Sequence, residues 1–213
     1  MGLEMSGSIK QLADLKTDKA KLESSYRRLV TARLPVNLYS VRAHAQRRAA
    51  TLLHGMDEGS GSWEELDCLH LADDERGDRA SLLLGGATGG VALTKHQRVG
   101  LLASTGTGTL FLFNAEKLSY GAQRVLCSVV EKGRYTPVGD PFPRPLGCRI
   151  IVGSQKPLAA LASSLIVGRR LAETLGLVSL SAEDVIKVLE PRRFYKTHPG
   201  SLAAESPPAQ RTA

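Results

Sequence analysis

The sequence predicts a three-layer α/β domain built on a mainly parallel sheet, and three observations carry that expectation. Leu110-Phe111-Leu112-Phe113 is an apolar run too short for a helix and rich enough for a strand buried on both faces. After it, Val125, Leu126, Val129 and Val130 recur at helical spacing between Gln123 and Val130, with Gly133 placed where a helix should stop. A Pro- and Gly-punctuated hairpin then leads to a second buried-strand candidate from Cys148 to Val152. Strand, helix, hairpin, strand is the order of an α/β unit.

Residues 8–32 read as a helix in which Leu12, Leu15, Leu22, Tyr26 and Leu29 alternate by three and four, with Lys19 interrupting the seam. Such a seam packs on its own domain or pairs with another chain, and it runs for fewer heptads than a coiled coil asks for. Pro35 ends it, and strands are expected at 35–39, 64–69, 108–113 and 148–153, with a further candidate at 176–180. Ala45, Ala49, Leu52 and Leu53 mark a helix through to His54, on which Gln46 reads as a surface residue. Leu161, Leu165 and Leu171 extend the helical pattern. Ser181-Ala182-Glu183-Asp184 looks like a capping box that opens a short helix stopped by Pro191. The division expected is a helix at 1–33, an α/β domain at 34–190 and a disordered tail at 191–213. Leu110, Phe111, Leu112, Ile150 and Ile151 should be among the most buried residues.

Composition narrows the function classes. Among 213 residues, 42% are apolar and 5% aromatic, so an aliphatic core is expected. No apolar run is long enough for a membrane helix, and the first residues lack the apolar region of a secretory signal. Cys68, Cys127 and Cys148 are odd in number and widely spaced, which reads as buried free thiols in a reducing cytoplasm rather than a metal site. His44, His70 and His96 are isolated. The net charge of +7 is dispersed, so it permits nucleic-acid binding without requiring it.

Gly108-Thr109-Leu110-Phe111-Leu112, then Leu118-Ser119, Gln123, Gly133, Val138-Gly139 and Arg149-Ile150-Ile151 resemble the central AAA+ domain of NtrC-type bacterial enhancer-binding proteins. Those ATPases remodel RNA polymerase bound to the RpoN sigma factor. The family pattern reads GTLFLDE, LS, Q, G, VG and RIIA, and this chain keeps its spacing without a gap from Gly108 to Gln123. The resemblance implies a P-loop NTPase-like AAA+ core. It also implies that the helical lid is missing, since the family's PPLRER signature is not found.

The departures from the pattern fall on the chemistry. Pro35 to Tyr39 sits in register with the strand before the family's phosphate loop. Ser40 to Arg47 then holds none of the glycines that let backbone N–H groups point at phosphate oxygens, and Gln46 takes the lysine position. In the sigma-contacting GAFTGA loop, Gly89 is kept while Val91 and Ala92 replace the Phe and Thr that touch the sigma factor. Phe113 and Asn114 occupy the acidic pair whose carboxylates would hold Mg²⁺ and orient the attacking water. Phenylalanine cannot ligate Mg²⁺, and asparagine cannot take a proton from water. Ser154 stands where the family has a polar sensor, and no role is assigned to Arg169 or Arg170.

The expectation is therefore a pseudo-ATPase with no catalytic residue, cofactor or metal, acting as an interaction or regulatory module in transcription. Its partner would be an active enhancer-binding AAA+ protein or the transcription machinery. The contact would use Leu12, Leu15, Leu22 and Leu29, or the loop carrying Gly89, Val91 and Ala92. A monomer or small oligomer is expected. Two alternatives are a nucleotide-binding activator with an unorthodox ATP site and a basic nucleic-acid-binding regulator using Arg42 to Arg48.

Overall fold

The structure is a computed structural model that describes residues 4–57, 61–85 and 100–190, with side chains described from residue 18 onward. Helix α1 (Glu4–Thr31) leads into β1 (Val36–Tyr39), α2 (Ala43–Gly55) and β2 (Trp63–Asp67). Short helices α3 (Asp78–Gly85) and α4 (Leu101–Thr105) precede β3 (Thr109–Phe113) and α5 (Tyr120–Lys132). A hairpin of β4 (Arg134–Tyr135) and β5 (Arg144–Pro145) leads to β6 (Arg149–Ser154). The chain continues through α6 (Leu158–Ser163), α7 (Arg169–Leu175), β7 (Ser179–Ser181) and α8 (Ala182–Leu189).

Five strands form one parallel sheet in the order β2-β3-β6-β1-β7. Alternation along the central strands divides the core in two, because successive side chains of a strand face opposite sides. Leu110, Leu112, Ile150 and Val152 face a cluster built with α3, α5, α6 and α7. Phe111 and Ile151 face the other way, against α1, α2 and α8. All five residues expected in the core are buried. Among the described residues, no helix is long and apolar enough to cross a membrane. The three cysteines are buried and unpaired.

Several elements differ locally from the expectation. Strand β2 stops at Asp67 because its carboxylate accepts the Leu69 N–H at 3.0 Å and opens a 3-10 turn over Cys68–Leu71. Leu165 is not helical. It lies between α6 and α7 in the left-handed region (φ 57°) and is 91% exposed. The packed stripe of α1 is Tyr26, Leu29 and Val30, whereas Leu22 is 46% exposed. Only the last turns of that helix therefore meet the core with described side chains. The side chains of Leu12 and Leu15, the loop carrying Gly89, Val91 and Ala92, His96 and the segment 191–213 lie outside the described residues.

Candidate functional site at the carboxyl ends of the strands

In open parallel sheets, ligands bind beyond the carboxyl ends of the strands. Here Ser40, Asp67, Asn114, Ser154 and Ser181 end or follow the five strands. Between β1 and α2 lie just Ser40, Val41 and Arg42, and the helix begins on an extended Arg42 with no side-chain cap.

Gln46 lies one turn into α2 and is buried, contrary to its reading as a surface residue. The helix presents Ala45, Gln46, Ala49, Ala50 and Leu53 inward, a stripe whose spacing includes position 46. The Gln46 Nε2 donates to the Ser40 carbonyl at 2.6 Å and to the Ser154 carbonyl at 2.9 Å. The Ser154 carbonyl also accepts the Ser40 N–H at 3.0 Å. Gln46 Oε1 has no partner, and a Cβ on Gly153 would stand 2.5 Å from it, so glycine at 153 gives the carboxamide its room.

Sequence reasoning found Gln46 and Ser154 but missed the groups that join them. Asn37, in the middle of β1, uses its full hydrogen-bonding capacity. Its Nδ2 donates to Ser154 Oγ (2.7 Å) and the Val152 carbonyl (3.3 Å), while its Oδ1 accepts from Leu158 N (3.1 Å) and Ser179 Oγ (3.2 Å). Ser154 Oγ in turn donates to the Lys156 carbonyl at 2.7 Å. Ser40 Oγ accepts from Arg42 N at 3.0 Å and donates to Glu183 Oε1 at 2.6 Å. That hydrogen bond holds the Glu183 carboxyl below its ordinary range. The signal was present in the sequence: Asn37 is a lone amide inside an apolar strand, where a buried polar group needs partners.

Phe113 and Asn114 are engaged next door. The Arg47 guanidinium lies 5.6 Å from the centre of the Phe113 ring. It also forks onto Glu65, with Nε 3.0 and 2.9 Å from the two carboxylate oxygens. Asn114 is in the left-handed conformation (φ 56°), which asparagine tolerates better than most residues. Its Nδ2 donates to Asp67 Oδ1 at 2.9 Å. His44 and His70 are exposed and join none of these groups. Among the described residues, no set of His, Cys, Asp and Glu side chains is arranged to hold a metal ion.

Comparison with known proteins identifies the family and the fold. A family model described as the Sigma-54 interaction domain matches residues 40–180. Among solved structures, NtrX from Brucella abortus in complex with ATP is 16% identical, with a TM-score of 0.61 over 84% of this chain and 42% of that one. Its complex with ADP gives 16% and 0.60, over 84% and 40%. Hsp104 in its closed state with ATPyS and FITC casein gives 16% and 0.53, over 70% and 28%. At these identities the likeness is one of fold, and the chain spans about two fifths of the NtrX chains. No curated protein matches.

Proposed function

The chain belongs to the Sigma-54 interaction domain family of AAA+ P-loop NTPase domains, and we propose that this copy has lost ATP turnover and works as a protein-interaction module in transcription regulation. The observation that carries the proposal is the buried Gln46 carboxamide, hydrogen-bonded to the carbonyls of Ser40 and Ser154. A phosphate site needs a lysine ammonium and backbone N–H groups aimed at anionic oxygens. This corner instead presents two carbonyls closed by an amide and an unpartnered amide oxygen, which repels a phosphate. The residues present do not fit a nucleoside triphosphate there. Phe113 and Asn114 complete the picture, since Mg²⁺ carboxylate, water-orienting carboxylate and lysine act as a unit in which loss of one member removes most of the rate.

A second reading rests on Asp67, a carboxylate beside the strand end where the acidic pair would stand. It could serve an unorthodox nucleotide site. Hydrolysis of Mg-ATP by the full chain separates the two readings. The proposal expects release of phosphate no faster than the protein-free blank. Turnover that co-purifies with the chain and is lost in Asp67→Asn would overturn it in favour of the second reading. The partner proposed is another protein, either an active member of the same family or the transcription machinery, met by this chain as a monomer or small oligomer.

A further inference from the structure

On the face of the domain formed by α3, α5, α7 and the β4–β5 hairpin lies a cleft of about 710 Å³. Arg76, Arg124, Lys132, Arg134 and Arg170 line it, and among the described residues no carboxylate does. Arg124, Ser128 and Lys132 are four residues apart on α5, so the helix turns one polar face to the cleft. Arg170 is already neutralised, its Nε donating to Glu131 at 2.9 Å. Arg76, Arg124 and Arg134 are exposed and form no ion pair among the described residues. The floor is apolar and buried: Leu84, Leu102, Val129 and Tyr135.

A basic rim around an apolar floor asks for a ligand that carries both carboxylates and apolar side chains. We propose that the cleft docks an acidic, amphipathic peptide segment of a partner protein. Its carboxylates meet Arg76, Arg124 and Arg134, and an apolar side chain enters the floor. This goes beyond the proposed function and holds whether or not the chain hydrolyses ATP. The two long segments of the chain outside the described residues have the wrong charge for the role. Residues 86–99 carry Lys95 and Arg98 with no carboxylate, and 191–213 carry Arg192, Arg193, Lys196 and Arg211 against Glu205 alone. A nucleic-acid strand fits less well, because it offers no aliphatic side chain long enough to fill the floor, and among the described residues no exposed aromatic lines the cleft for base stacking.

The test uses a fluorescent peptide of about twelve residues alternating Glu or Asp with Leu and Phe. Its anisotropy is read against the full chain at physiological salt, with melting curves confirming that each variant is folded. Binding is expected, weakened about tenfold in Arg124→Gln and again in Arg134→Gln, since each removes a charge-assisted hydrogen bond. Arg28→Gln, exposed on α1 away from the cleft, should leave it unchanged. Absence of binding would overturn the proposal. So would equal binding of a peptide with Ser in place of Leu and Phe, or insensitivity to both cleft variants. Duplex DNA displacing the peptide through the same arginines at higher affinity would transfer the site to nucleic acid and overturn it as well.

Discussion

Replacing Gln46 by alanine leaves the Ser40 carbonyl without its side-chain donor and removes one of the two donors to the Ser154 carbonyl. Buried acceptors deprived of a partner cost about 1–3 kcal/mol each. Loss of the unpartnered Oε1 offsets part of that cost. Gln46→Ala is therefore expected to lower unfolding stability by about 1–3 kcal/mol in urea titration. A residue lying idle on the surface would change it by less than about 0.5 kcal/mol. Glu183 supplies a test in pH. Its folded-state carboxyl lies below its ordinary 4.5, first because Ser40 donates to it. A depressed carboxyl contributes stability that is present above the unfolded value and lost as pH falls through the folded one. Glu183→Gln should be less stable than the parent at neutral pH, and the gap should close as pH drops below 4.5. A gap that stays constant to pH 3 would contradict the linkage. Gln46 was legible as a position because Pro35 to Tyr39 sits in register with the strand before the family's phosphate loop, and Ser154 because it follows Arg149-Ile150-Ile151. That Gln46 faces inward was not, since a glutamine on an amphipathic helix reads as solvated until its two carbonyl partners, distant in sequence, are seen beside it.

At the scale of elements, α1 illustrates how far a hydrophobic pattern reaches. Leu22 and Leu29 belong to one heptad seam, yet the core takes Tyr26, Leu29 and Val30 and leaves Leu22 46% exposed. Periodicity identifies a face but not which stretch of it is covered. Val30→Ala is expected to cost about 2 kcal/mol through the cavity it opens, and Leu22→Ala less than about 0.5 kcal/mol in the isolated chain. If thermal melts show Leu22→Ala to be as damaging as Val30→Ala, the seam is occupied in solution. Helix α5 carries a second lesson. Its Ser119 cap donates to the Asp74 carbonyl at 2.7 Å, and the Asp74 carboxylate accepts the N–H groups of Arg79 and Ala80 that open α3. This draws two backbones together: a Cβ on Gly121 would stand 2.2 Å from the Glu75 carbonyl oxygen, and one on Gly77 (φ 82°) 2.8 Å from that of Gly121. Gly121→Ala, a change that favours an ordinary helix, should here destabilise by about 3 kcal/mol. A neutral result would mean that the loop moves freely. That packing was invisible in the helical pattern of 123–130, which shows apolar spacing but no close approach of a distant loop.

For the whole molecule, the sheet was legible because its central strands are buried on both faces and so read as continuous apolar runs. Edge strands β2 and β7 are half-polar, and their limits shifted accordingly. What the fold is kept for turns on whether the corner between β1, α2 and β6 accepts a ligand. A ligand that binds the folded chain alone stabilises it by RT ln(1 + [L]/Kd), about 2.7 kcal/mol at a hundredfold excess over Kd. In a domain of this size, that raises the melting temperature by several degrees. The most direct measurement is the melting temperature of the full chain with and without millimolar Mg-ATP. A filled phosphate corner predicts the same temperature in both, while a rise of several degrees that disappears in a variant of Ser154 would contradict it.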